Sequence, residues 1–339
     1  MSGNIEVGIA SKVMNSQMFV RDQNLDIAKG IGILLVVWGH CSLIWFDEIY
    51  SFHMPLFFFL SGCVLNISKP YKDIVKRKAN QLLIPYIFFV FLSCLFYWGL
   101  LFLTHRFSID QLQSLIKSLF PYKNEIINTP LWFLLSLFWM SVIYVGIRKI
   151  VHREWLIFTI VMILYLAMKE VGSRGFVLPF FLGRGLGEMI YMHLGYFLYK
   201  RKNYIFQLYE LNMSYIVCLL FLSVIVFCSL FYLQKPTIDV LYDFILLFIA
   251  IAGISVIFMQ SLLFKNLAKY IVGVLSYLGC NTLYIFAIHL PLLEFARPIG
   301  KYIVGGNGLL YDAVVFCSDL ILSIALAWFL KYIKNLINR

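Results

Sequence analysis

Three ionisable residues interrupt the first apolar stretch of the chain, LDIAKGIGILLVVWGHCSLIW: Asp26, Lys29 and His40. At about 100° and about 1.5 Å per residue, a helix carries Lys29 and His40 on one stripe, nearly three turns and about 16 Å apart. Asp26 stands one turn before Lys29 on nearly the same stripe. Ionisable groups in a membrane helix are expensive and usually face a polar pathway or site. Histidine ordinarily titrates near neutral pH, so His40 at the deep end of the stripe has the chemistry of a general base. Asp26 can pair with Lys29 and offset the cost of burying either charge. A plainer reading stands beside this one. Asp26 and Lys29 would anchor the helix at the interface, with Lys29 snorkelling to headgroups, and His40 would be a hydrogen-bonded packing residue.

The elements that must position these residues are membrane helices. Of the 339 residues, 62% are hydrophobic, 18% aromatic and only 13% charged, and the mean hydropathy is +0.86. A soluble globular chain is excluded. Apolar runs of about 18 residues or more read as spanning helices. About ten such runs fall near 25–46, 51–67, 81–104, 131–149, 155–170, 176–199, 212–233, 239–259, 272–293 and 308–334. The expected fold is all-α and polytopic, a short polar segment over 1–20 followed by one membrane domain over 21–339. Residues 1–20 lack the apolar core and cleavage site of a secretory signal, so the first helix itself would target the chain.

Placing the N-terminus in the cytoplasm puts nineteen Lys and Arg inside and eight outside, with Arg184 within a helix. The positive-inside rule favours that orientation, with both termini cytoplasmic. The net charge of +11 is then a topological signal and an attraction to anionic membrane lipid, with no call for nucleic acid. The seven cysteines are scattered through hydrophobic segments without C-x-x-C or zinc-ligand spacing, so packing is expected of them and no metal site.

A second run, FHMPLFFFLSGCVLN at 52–66, follows the first helix closely. Together they resemble the acyltransferase-3 family of integral membrane acyltransferases. That family shows a basic residue, ten positions and a histidine, then a Phe-His-x-Pro-Leu-Phe-Phe-x-x-Ser-Gly run. Here these are Lys29 and His40, then Phe52, His53, Pro55, Leu56, Phe57, Phe58, Ser61 and Gly62. TPLWFLLSLFW at 129–139 and LGCNTLYIFAIHL at 278–290 are also similar to the family. The resemblance implies an O-acyltransferase of the cytoplasmic (inner) membrane. It would move acetyl from acetyl-CoA, with no bound cofactor, onto a hydroxyl of a cell-surface polysaccharide or its lipid-linked precursor. His40 would be the catalytic base, with Lys29 as its companion and Asp26 beside it.

Other residues invite a substrate-binding role. His53 is expected near the depth of His40, at the start of the second helix, with Pro55 in its first turn and Asp47 and Glu48 in the preceding loop. Lys76, Arg77 and Lys78 suit the phosphates of CoA, although Asn80 stands where the family often has a second arginine. Arg184 and Glu188, four apart, share a helix face and can pair. Trp132 matches the family's Trp-Phe-Leu, and His289, with Asn281 and Glu294 on the same segment, matches a terminal histidine. His193 reads as a satisfied core residue. Two alternatives stay open: a polysaccharide exporter or transporter using the same buried charges, and succinyl rather than acetyl as the group moved.

Overall fold

In a lipid phase every backbone polar group must be satisfied within its own segment, and long apolar runs therefore close into helices. The computed structural model describes residues 22–105, 110–201, 212–233, 238–267 and 269–337, and these are helical with no strand among them. The reading of residues 1–20 lies outside the described residues. In chain order the helices are α1 (Gln23–Cys41), α2 (Phe46–Cys63), α3 (Tyr71–Leu103), α4 (Asp110–Leu119), α5 (Trp132–Ile150) and α6 (Glu154–Ser173). There follow α7 (Leu182–Gly187), α8 (Met189–Lys200), α9 (Met213–Phe231), α10 (Asp239–Leu267), α11 (Lys269–Val304) and α12 (Leu309–Ile337).

Among the described residues, seven helices are long and apolar enough to cross a membrane: α3, α5, α6, α9, α10, α11 and α12. The other three expected spans are helical but fall short for a reason that bears on function. α1 and α2 carry Asp26, Lys29, Asp47 and Glu48, and the sixth is broken at Glu188 into α7 and α8. Burial separates an inner from an outer layer. In α5, 61% of the apolar window is buried, whereas in α9 only 6% is, and side chains such as Phe221 and Leu222 stand exposed in a way only lipid accommodates.

Two glycine-mediated crossings hold the centre. A Cβ on Gly30 would run into the Leu275 carbonyl of α11, and one on Gly279 into the Asp26 carbonyl of α1. Gly62 of α2 likewise faces the Met192 carbonyl of α8, and Gly195 faces the Phe59 carbonyl. Small residues let backbones meet where lipid gives no hydrophobic drive for helix pairing.

Several sequence expectations are corrected. α2 begins at Phe46, so Asp47 and Glu48 lie in its first turn, where acids complement the helix dipole, and not in a loop. Pro55 consequently sits inside the helix instead of in its first turn. It cannot donate to the Ser51 carbonyl, which loses its usual helical partner. α11 does not stop near 293 but runs through Pro291 and Pro298 to Val304. In α3 the turn Ala79–Leu83 widens so that the Ile84 N–H reaches the Ala79 carbonyl, just ahead of Pro85, which has no N–H to give.

Candidate active site

Asp26, Lys29 and His40 all lie on the one helix α1. Lys29 Nζ is 3.6 Å from the Asp26 carboxylate at one end of the helix, and His40 occupies the last turn at the other. α1 and α11 cross at Gly30 and Gly279, and each helix carries a histidine ten residues further on, His40 and His289. Their ring centroids are 5.1 Å apart. α2 returns alongside and supplies Tyr50 and His53, one turn apart, with ring centroids 4.6 Å from each other. Tyr50 is stacked on Phe46 at 4.0 Å, and its hydroxyl lies 3.4 Å from both His40 nitrogens, too far to engage either strongly.

Two of the three imidazoles have their tautomer set by helix carbonyls, which only accept. His53 Nδ1 donates to the Ile49 carbonyl at 2.8 Å, and His289 Nδ1 donates to Phe286 at 2.9 Å and Ile285 at 3.2 Å. In both, Nε2 therefore carries the lone pair. His289 Nε2 is buried and has no hydrogen-bond partner among the described residues.

His40, Tyr50 and His53 open into a cavity of about 630 Å³ whose further wall holds Trp132, Lys169, Arg184 and Glu188. Ser51 and Pro55 also line it. The far wall is built from a braced turn. Phe180 and Phe181 both adopt left-handed backbone (φ 55°), a strain of about 1–3 kcal/mol per residue. Asn124 holds them by donating to the Leu178 carbonyl at 3.0 Å and accepting from Phe181 N–H at 2.8 Å. Ser136 Oγ donates to the Phe181 carbonyl at 3.0 Å, and Gly185 packs on the Ser136 carbonyl. The outcome is α7 clamped on α5, with the Arg184 guanidinium 4.6 Å over the Trp132 ring. Asn128 pins the same wall to the histidine helix, donating to the Ala287 carbonyl at 2.7 Å and to Ser93 Oγ at 2.9 Å.

The expected residues therefore fall into two groups. His40, His53, Trp132, Arg184 and Glu188 line one cavity, with His289 directly behind His40. Asp26, Lys29, Lys76, Arg77, Lys78 and Asn281 lie away from it, outside that lining. Arg77 donates to the Asn66 carbonyl at 3.3 Å, while its Nε is buried without a partner. Asn281 donates to the Tyr277 carbonyl at 2.7 Å and accepts from Lys331, so it ties α11 to α12. Glu294 is exposed, outside the cavity. His193 accepts its place in the core by meeting the Tyr144 hydroxyl at 3.0 Å.

The Arg184–Glu188 pair is a correction. No ion pair within 4.0 Å joins them, because the helix breaks at Glu188 and Arg184 stacks on Trp132 instead. The sequence reading also missed Tyr50, placed in a loop, and Lys169, counted only for topology. Both carried a signal: Tyr50 is one turn before His53, and Lys169 is one turn after Tyr165, beyond a long apolar run. Asn24, wholly buried near Asp26 and with neither amide atom hydrogen-bonded among the described residues, was missed as well.

A family model described as an acyltransferase domain matches residues 22–330. The chain belongs to the acyltransferase-3 family. It carries an acyltransferase domain, and among the described residues seven of its helices are long and apolar enough to cross a membrane. Over 134 residues it is 34% identical to the nodulation protein NolL of Mesorhizobium japonicum, covering 35% of this chain and 34% of that protein. Over 183 residues it is 25% identical to NolL of Sinorhizobium fredii, covering 48% and 47% respectively. The chain therefore spans less than half the length of either relative. No solved structure matches it.

Proposed function

We propose that the protein transfers acetyl from acetyl-CoA to a hydroxyl of a cell-surface polysaccharide or its lipid-linked precursor. It would do so in the cytoplasmic membrane with ten spans and both termini inside, α1, α2 and the broken pair α7–α8 being the three spans beyond the seven apolar ones. The observation that carries this is the convergence of His40, Tyr50 and His53 in one cavity at the end of a stripe that starts at Asp26 and Lys29.

The chemistry follows from the side chains. His40 takes the proton from the acceptor hydroxyl as its oxygen attacks the thioester carbonyl. A C–O bond forms and the carbonyl oxygen becomes an oxyanion, to which the Tyr50 hydroxyl donates. Collapse expels the CoA sulfur, which takes the proton from the His40 imidazolium, and the base is restored. The cationic run Lys76, Arg77 and Lys78 holds the phosphates of the donor at the inner face, while Lys29 and Asp26 mark the route of the thioester towards His40. A cavity of about 630 Å³ has room for a sugar and its neighbour.

Comparison of the surface glycans of a deletion strain with those of its parent, by mass and NMR, tests this. Loss of acetyl groups in the deletion strain, restored by the wild-type chain and not by His40→Ala, is the expected result. Glycans with unchanged acetylation, or restoration by His40→Ala, would reject the reading. A shift of 100 Da in place of 42 Da would identify succinyl as the group moved.

A further inference from the structure

We infer that the acceptor carries an oxyanion, a carboxylate or a phosphate, close to the hydroxyl that is acylated, and that Lys169 and Arg184 bind it. This rests on the reading of the cavity as the acceptor site.

Lys169 on α6 and Arg184 on α7 line the cavity that contains His40 and His53. Neither has a carboxylate within 4.0 Å among the described residues. Two other cations, by contrast, each have a carboxylate partner: Lys117 with Glu125 at 2.7 Å, and Arg174 with Glu170 at 2.7 Å. Glu170 is the immediate neighbour of Lys169, yet its partner is Arg174. Among the described residues the one acid on the cavity wall is Glu188, which lies within 4.0 Å of neither cation and whose Oε2 is buried without a hydrogen-bond donor.

The two cations are also placed differently from headgroup anchors. Lys169 lies over the Tyr165 ring, 5.4 Å from its centroid, and Tyr165 is itself buried and part of the cavity wall. The Arg184 guanidinium carbon lies 4.6 Å from the centroid of the Trp132 ring, and that contact uses none of its N–H donors. A flat, five-donor edge suits a carboxylate or phosphate in bidentate fashion, and an ammonium beside it adds a point charge. With Glu188 on the same wall, a neutral sugar would leave the two cations a net positive charge in a site partly shut off from water, which is costly. An acceptor with an oxyanion near its reacting hydroxyl satisfies them and fixes that hydroxyl relative to His40.

The test uses the full-length protein in nanodiscs of phosphatidylcholine with acetyl-CoA. Its acceptors are the glycans and lipid-linked sugars extracted from the deletion strain, separated by anion exchange into neutral and acidic fractions. The proposal predicts His40-dependent acetyl transfer to the acidic fraction. That transfer should be abolished by carbodiimide reduction of carboxylates if the anion is a uronate, or by phosphatase or mild acid if it is a phosphate. K169Q and R184Q should each raise the acceptor KM about tenfold to a hundredfold and leave the acetyl-CoA KM unchanged. The wild-type acceptor KM should rise with added salt, and in the variants this dependence should weaken. R184K, which keeps the charge and loses the fork, should recover part of the loss. Transfer confined to the neutral fraction, with normal KM in K169Q and R184Q, would overturn this inference and leave the acyltransferase reading intact. No transfer to either fraction would overturn both.

Discussion

His289 Nε2 is buried without a hydrogen-bond partner among the described residues, and the His289 ring lies 5.1 Å from that of His40. Its Nδ1 is committed to the carbonyls of Phe286 and Ile285, so the lone pair is on the nitrogen left free. An acceptor behind a general base holds the proton of the base on the far nitrogen and leaves the near one to take the substrate proton. His289→Leu should therefore lower kcat about a hundredfold with the acetyl-CoA KM unchanged, because a misaligned base costs about that much. His289→Gln, which keeps an acceptor, should recover part of it. Equal kcat for the Leu and Gln variants would remove the orienting role.

The Tyr50 hydroxyl lies 3.4 Å from both nitrogens of His40 without binding either closely, which leaves its proton for an oxyanion. Tyr50→Phe keeps the stack on Phe46 and removes only the donor. A fall in kcat of about 10²–10³-fold with little change in either KM is expected. Steady-state rates with both substrates varied decide the matter, and a kcat within twofold of wild type would exclude Tyr50 as the donor.

The backbone contact between α1 and α11 permits a sharp comparison of glycines. A Cβ on Gly279 meets the Asp26 carbonyl, whereas one on Gly273 meets nothing within 4 Å. Gly279→Ala should lose about 1–3 kcal/mol by forcing the helices apart. Gly273→Ala should be neutral or gain up to about 1 kcal/mol of helix propensity. Thermal unfolding in detergent, followed by size-exclusion fluorescence, should show a lower Tm for the first variant only.

Replacing Lys76, Arg77 and Lys78 together by Gln should raise the acetyl-CoA KM about tenfold or more, through loss of charge-assisted contacts, and leave acceptor KM alone. The same change weakens the inside-positive signal, so cysteine labelling from each side must show the wild-type topology in the mutant. Unaltered donor KM with intact topology would return the cluster to an orientation signal.

What the sequence made legible was the spacing within single helices. Lys29, His40 and His53 stand where a 3.6-residue period and a short connection put them. What it could not show was which helices touch. Nothing local in LGCNTLYIFAIHL says that Gly279 meets Asp26, yet that crossing is what brings His289 to His40. Arg184 and Glu188 share an ideal helix face, but a break at Glu188 and the nearby Trp132 ring overrode the local rule. Tyr50 was hidden because α2 starts earlier than its apolar run, carried by Asp47 and Glu48 in the first turn. Apolar runs report helices long enough to span. His40, Tyr50, His53, Arg184 and Glu188 instead lie on the polar or broken helices, or at the break itself, where that signal is weakest.

The central claim is a thioester-consuming enzyme whose base is His40. It is tested most directly by following CoA thiol release from acetyl-CoA with a thiol reagent. The full-length protein is placed in nanodiscs, with the deletion strain's glycans as acceptor and His40→Gln as the control that keeps a hydrogen bond but cannot take a proton. The account predicts thiol release that requires acceptor, matches acetyl incorporation one for one, and drops to the blank in His40→Gln. Thiol release at the wild-type rate in His40→Gln, or acceptor flux into proteoliposomes with no thioester consumed, would contradict it.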